Sequence, residues 1–101
     1  MINVIASIHI KKDRMTEFVE IFKSNVPLVV KEKGCIEYLP TMDVPTGLAP
    51  QVLNEHVVTI IEKWHSLEDL HTHLSAPHML AYREKVKDLV EKVSLKVLGE
   101  V

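Results

Sequence analysis

Residues 2–10 alternate. Ile2, Val4, Ala6, Ile8 and Ile10 fall on one side of an extended chain, and Asn3, Ile5, Ser7 and His9 fall on the other. A period of two makes this a strand. One face is wholly aliphatic and the other is mixed, so both need cover, each from different material. The aliphatic face, with Ile8, is assigned to a seam between two sheets. The mixed face is assigned to the helices of its own chain.

The chain has 101 residues, which predicts one domain over 1–101. A chain this short buries only about two-thirds of its unfolded surface, which allows a single layered core. Apolar residues make up 47% and charged residues 26%, as in an ordinary globular chain. No apolar run reaches the roughly 20 residues of a membrane span. The net charge of −2 and an aromatic content of 5% argue against nucleic acid as a partner. Cys35 is the only cysteine. No basic stretch precedes the apolar start, so a cytoplasmic protein is expected.

Met15, Phe18, Val19, Phe22 and Val26 form one stripe of a helix over 14–33, with Asp13 as N-cap and Gly34 as C-terminal glycine. Pro27 predicts a kink or break near Val26. Residues 35–43 read as a strand that Pro40 confines to an edge or a bulge. Pro45, Gly47, Pro50 and Asn54 mark a long loop over 44–56. Residues 57–64 read as a third strand, with Val58, Ile60, Glu62 and Trp64 on one face. Ser66 and Asp69 form a capping box for a short helix with Leu67, Leu70, His71 and Leu74 inward; Pro77 ends it. A further helix over 78–92 carries Met79, Tyr82, Val86, Leu89 and Val90, and a last strand runs over 94–101.

This order is an α+β sandwich of ferredoxin-like βαββαβ type, with helices on one face of an antiparallel sheet. A bare second face would be an apolar patch of roughly several hundred Å². A homodimer joined sheet to sheet is therefore expected.

Four stretches carry a family resemblance. Ile61-Glu62-Lys63-Trp64 leads into Ser66-Leu67-Glu68-Asp69-Leu70, then His73-Leu74, then Ala76-Pro77-His78-Met79-Leu80-Ala81-Tyr82. With Glu32-Lys33-Gly34-Cys35 ahead of the second strand, the chain resembles antibiotic biosynthesis monooxygenase domains. It is most similar to the small bacterial quinol monooxygenases, which share the Val26-Pro27 interruption and the loop after Met42-Asp43. The resemblance implies a dimeric α/β barrel with a pocket between helices and sheet. It also implies oxidation of a quinol, phenol or anthrone by dioxygen without flavin, haem or metal.

Several residues are candidates for that site. Trp64 is either a core aromatic or, as the resemblance implies, a pocket wall whose N–H reaches substrate. Glu62 shares its face and is read as pairing with a cation or capping a helix. His71 lies on the apolar stripe of its helix and is read as a core residue. His73 lies about 200° round the helix from it, so the two do not share a metal. His73 occupies the family's histidine position, and His73 and His78 are the general-base candidates among six histidines. Met79 and Tyr82 line the pocket, and Arg83 is either surface or a cation for an oxyanion. Ser7 and Ile5 enter the pocket if their face meets the helices.

A haem-degrading relative would carry Asn, Trp and an axial His where this chain has Ser7, His73 and Arg83, so that branch is disfavoured. The remaining alternative is a non-catalytic dimeric ligand-binding or stress-response module of the same fold.

Overall fold

The strand over Ile2–Ile10 (β1) buries Val4, Ala6, Ile8 and Ile10, each no more than 6% exposed, while its alternate residues are half-buried. The structure, a computed structural model, covers residues 1–101. It continues with a helix over Met15–Val30 (α1) and strands over Cys35–Thr41 (β2) and Val57–Trp64 (β3). Two helices follow, Leu67–Leu74 (α2) and Pro77–Val86 (α3), and then a strand over Val90–Leu98 (β4). The four strands form one antiparallel sheet in the order β2-β3-β1-β4, and the whole is a ferredoxin-like α+β fold.

The face assignment of β1 is corrected. Val4, Ala6, Ile8 and Ile10 share a core with Phe18 and Phe22 of α1, Val58, Ile60 and Trp64 of β3, and Met79, Tyr82 and Val86 of α3. The helices cover the wholly aliphatic face because that face gains most from leaving water. Ile5 and Ser7 lie on the outer face, where Ile5 pairs with Ile61 and Ser7 with Thr59. Ile8 is a core residue, not part of a seam.

Pro27 does not break α1, which runs on to Val30. Pro27 and Lys23, whose carbonyl loses its helical partner, both lie on the exposed side of the helix, where that loss costs least. Asp13 is not a cap. It takes φ 64° in the turn before the helix, and Arg14 precedes α1 without a capping bond from its side chain. Ser66 does cap α2: its Oγ accepts from the Asp69 backbone N–H at 3.1 Å and donates to Asp69 Oδ2 at 3.0 Å.

Strand β2 is an edge strand, as Pro40 predicts; its register shift lies between Cys35 and Glu37, away from Pro40, which pairs in register with Ile60. The last helix ends earlier than periodicity suggested. Leu89 turns back, its N–H donating to the Val86 carbonyl at 2.8 Å, and β4 begins at Val90. No helix covers the far end of β4, so Val93, Leu95 and Val97 are about half exposed. No helix of the chain is long and apolar enough to cross a membrane.

Candidate active site

A cavity of about 440 Å³ lies between the helices and the sheet. Ala6, Ile8 and Ile60 form its floor, Phe22, Met79 and Val86 its helical wall, and Val90, Val93 and Leu95 its side toward β4. The walls are mainly aliphatic and aromatic, with a few polar groups among them, as in sites for small apolar ligands. Tyr38, Glu62, His73, Tyr82, Arg83 and Lys87 supply that polarity.

Strand alternation sets Glu62 and Trp64 side by side on the helix-facing side of β3. Trp64 Nε1 donates to Glu62 Oε1 at 3.0 Å, and the indole is fully buried. Burial raises the Glu62 pKa; the indole N–H works against that rise, and the nearby Glu32 adds to it.

Helix α2 presents Asp69, Leu70 and His73 inward. His73 packs on the Trp64 ring with centroids 4.6 Å apart and meets Tyr38 edge to face at 5.5 Å. Its Nδ1 lies 2.9 Å from Glu32 Oε2, and His78 Nε2 lies 2.8 Å from the same oxygen. Burial lowers the His73 pKa, Glu32 opposes the shift, and His78 and Arg83 reinforce it.

Gly34 lets Glu32 come this close. It has φ 81°, and a Cβ there would collide with the carboxylate of Asp69 in the α2 capping box. Its carbonyl accepts from the His65 backbone N–H at 2.8 Å. The turn that carries Glu32 is thereby held against the start of α2.

Every buried side-chain nitrogen and oxygen in the chain has a hydrogen-bond partner. His73 Nε2, Glu62 Oε2 and the Tyr38 hydroxyl make no hydrogen bond within the protein, and the residues that carry them line the cavity. Burial pushes the pKa values of both Tyr38 and Tyr82 well upward, so each keeps its phenolic proton to donate. Tyr82 packs edge to face on Phe22 at 5.6 Å, and Tyr38 stacks on Phe22 at 5.6 Å. The Arg83 guanidinium donates to the Leu74 carbonyl at the edge of the cavity and is otherwise exposed.

The structure thus brings together His73, Met79, Tyr82 and Arg83. It separates the other candidates. Ser7 and Ile5 lie on the opposite face of the sheet, because the helices cover the other side of β1. Trp64 stands behind Glu62, and its N–H is engaged there rather than free for substrate. His78 lines a smaller neighbouring cavity of about 120 Å³ with Asn25 and Tyr82. His71 is exposed, not core. Glu62 meets an indole N–H, not a cation or a helix end. Glu32 enters the sequence reading only within the Glu32–Cys35 stretch, with no role at the site, and Tyr38 does not enter it. Tyr38 is the one buried residue of β2, which its alternation alone does not reveal. No three His, Cys, Asp or Glu side chains are grouped so as to hold a metal ion.

The family model for "Antibiotic biosynthesis monooxygenase" matches residues 1–85. The chain belongs to this family. It is 35% identical over 100 residues to the Escherichia coli K12 protein named "Probable quinol monooxygenase YgiN", covering 97% of this chain and 96% of that one. Among solved structures, a conserved protein from Methanosarcina mazei superposes with TM-score 0.85 at 22% identity, over 99% of this chain and 92% of that one. Rv0793 from Mycobacterium tuberculosis gives 0.82 at 22% identity, over 99% and 94%. Family membership and the cavity support a monooxygenase activity.

Proposed function

We propose that the chain oxidises an electron-rich quinol, phenol or anthrone with dioxygen, without flavin, haem or metal. The observation that carries this reading is the cavity itself: apolar walls around one unpartnered imidazole nitrogen, one carboxyl oxygen and protonated phenols. A fused or single aromatic ring suits the walls, and its oxygens suit the polar atoms.

His73 Nε2 takes the acidic proton of the substrate. The Tyr38 and Tyr82 hydroxyls donate to the resulting oxyanion, and Arg83 adds positive charge at the mouth. The anion passes one electron to dioxygen, and the two radicals join in a carbon–oxygen bond. The peroxide takes the proton back from His73. Loss of the remaining ring hydrogen with cleavage of the O–O bond leaves a carbonyl and releases water. One oxygen atom enters the product and the other leaves in water.

A homodimer joined through the outer sheet face belongs to the same reading. Leu39, Ile61 and Ile5 form an apolar row there, with Leu39 49% and Ile61 37% exposed. The Cys35 thiol, raised to about 11 chiefly by burial, stays reduced and unreactive in a cytoplasmic setting.

Oxygen uptake with a reduced naphthoquinol, corrected for autoxidation, tests the activity. Enzyme-dependent uptake is expected. Uptake no faster than the blank across several quinols and hydroxylated polyketides would leave a binding module instead. A flavin or Soret band in the purified protein would contradict the cofactor-free chemistry.

A further inference from the structure

Glu32 sits in the turn between α1 and β2, outside the cavity wall and 12% exposed at its side chain. One oxygen of this carboxyl, Oε2, meets two imidazole nitrogens, His73 Nδ1 and His78 Nε2. A carboxylate oxygen carries no hydrogen, so a nitrogen at that distance must supply one. A proton on Oε2 would serve only one of the two rings and leave lone pairs facing each other at the second. Both rings donating to an ionised Glu32 satisfies all three groups. His73 then carries its hydrogen on Nδ1, and the lone pair of Nε2 opens on the cavity.

We propose that Glu32 is the positioning residue of the base: it fixes His73 as the Nδ1–H tautomer, and His78, as a second donor, holds the carboxylate in place. The inference rests on the reading of His73 as base. Its logic is that of a carboxylate orienting a catalytic imidazole through the nitrogen remote from substrate.

The groups facing His73 explain why a partner is needed. Burial, His78 and Arg83 all disfavour an imidazolium there. Tyr38 packs on the ring and stays neutral, and Glu62 lies across the cavity wall. Glu32 is the one group whose contact with His73 favours the charged ring. When Nε2 takes the substrate proton, the positive charge forms beside the Glu32 carboxylate. The proton stays on the ring until the peroxide takes it. Glu32 itself touches neither substrate nor oxygen. His78, 23% exposed at its side chain, contacts Glu32 from the solvent side of the cluster.

The test is the ¹⁵N spectrum of the histidine rings in labelled full-length protein, with a pH titration, for wild type, Glu32→Gln and Glu32→Asp. Wild type should show His73 protonated at Nδ1 and bare at Nε2 above its titration. Glu32→Gln should move the His73 midpoint to lower pH. It should also reduce kcat with a reduced naphthoquinol roughly 100-fold, with KM little changed. Glu32→Asp should restore part of both. A protonated Nε2 in wild type overturns the proposal. So does a Glu32→Gln protein whose ring spectrum, midpoint and kcat are unchanged. If Glu32→Gln does not fold, the wild-type tautomer alone decides. A correct tautomer without any oxygen uptake supports the positioning role and contradicts only the oxygenase reading.

Discussion

The indole N–H of Trp64 donates to the carboxyl of Glu62, two residues back on the same face of β3, at 3.0 Å. Trp64 is fully buried and Glu62 is 6% exposed, so neither group has a ready substitute in water. Removing one partner leaves the other orphaned at the cavity. Trp64→Phe should destabilise the protein by about 1–3 kcal/mol in denaturant unfolding. The loss should shrink when Glu62→Leu, which cannot accept the bond, is already present, with a coupling of about 0.5–3 kcal/mol. Strict additivity would show that the bond does not link the two residues.

Glu62 and His73, both in the cavity wall, pull stability in opposite directions with pH. The folded pKa of Glu62 is raised above 4.5, so from there upward the folded state binds more protons and stability falls as pH rises. The folded pKa of His73 is lowered below 6.5. As pH drops from 6.5 to that lower value, the unfolded chain binds more protons, and stability falls. Glu62→Gln should therefore be more stable than wild type at neutral pH, since its amide oxygen still accepts from Trp64. In that variant stability should decline on acidification below about 6.5. Urea unfolding at a series of pH values checks both signs. A flat profile in the variant would contradict the burial of a neutral His73.

Gly34 and Gly47 separate backbone strain from collision. Both have positive φ, 81° and 74°, but only Gly34 would push a Cβ into Asp69; nothing lies within 4 Å of Gly47. Gly47→Ala should cost about 1–2 kcal/mol, the left-handed penalty alone. Gly34→Ala should cost clearly more and weaken activity, because it forces apart the Glu32 turn and α2. Equal melting temperatures for the two variants would contradict this.

The corrected faces of β1 distinguish core from interface. Ile8→Asp buries a charge among Ala6, Val58 and the helices and should unfold the chain, at a cost of about 3–5 kcal/mol. Ile61→Asp lies on the outer face and should leave circular dichroism intact while shifting gel filtration to the monomer. A folded, dimeric Ile8→Asp protein would restore the opposite assignment.

Period-two and helical patterns made the element order legible, because alternation in β1 and β3 and the stripe of α1 report burial directly. Alternation does not say which face meets helices. Alternation therefore leaves Ser7 and Ile5 as cavity candidates, whereas the fully aliphatic set gains more from the core and takes it. Periodicity carries α3 past its end at Val86 because Leu89 and Val90 continue its stripe, and no glycine or proline marks the stop. Within the site, Met79 and Tyr82 are legible as one apolar stripe of α3, whereas the stripe of α2 points to His71 and only the family resemblance points to His73. Glu32 is not legible as a site residue. Its role depends on a contact 41 residues away in sequence, which no local period carries.

The most direct test of the central claim is turnover under ¹⁸O₂ with a reduced naphthoquinol, followed by mass spectrometry of product and water. The account predicts one labelled oxygen in the product and the other in water, with loss of labelling in His73→Gln. Product formed with no label, or with both labels, would contradict it.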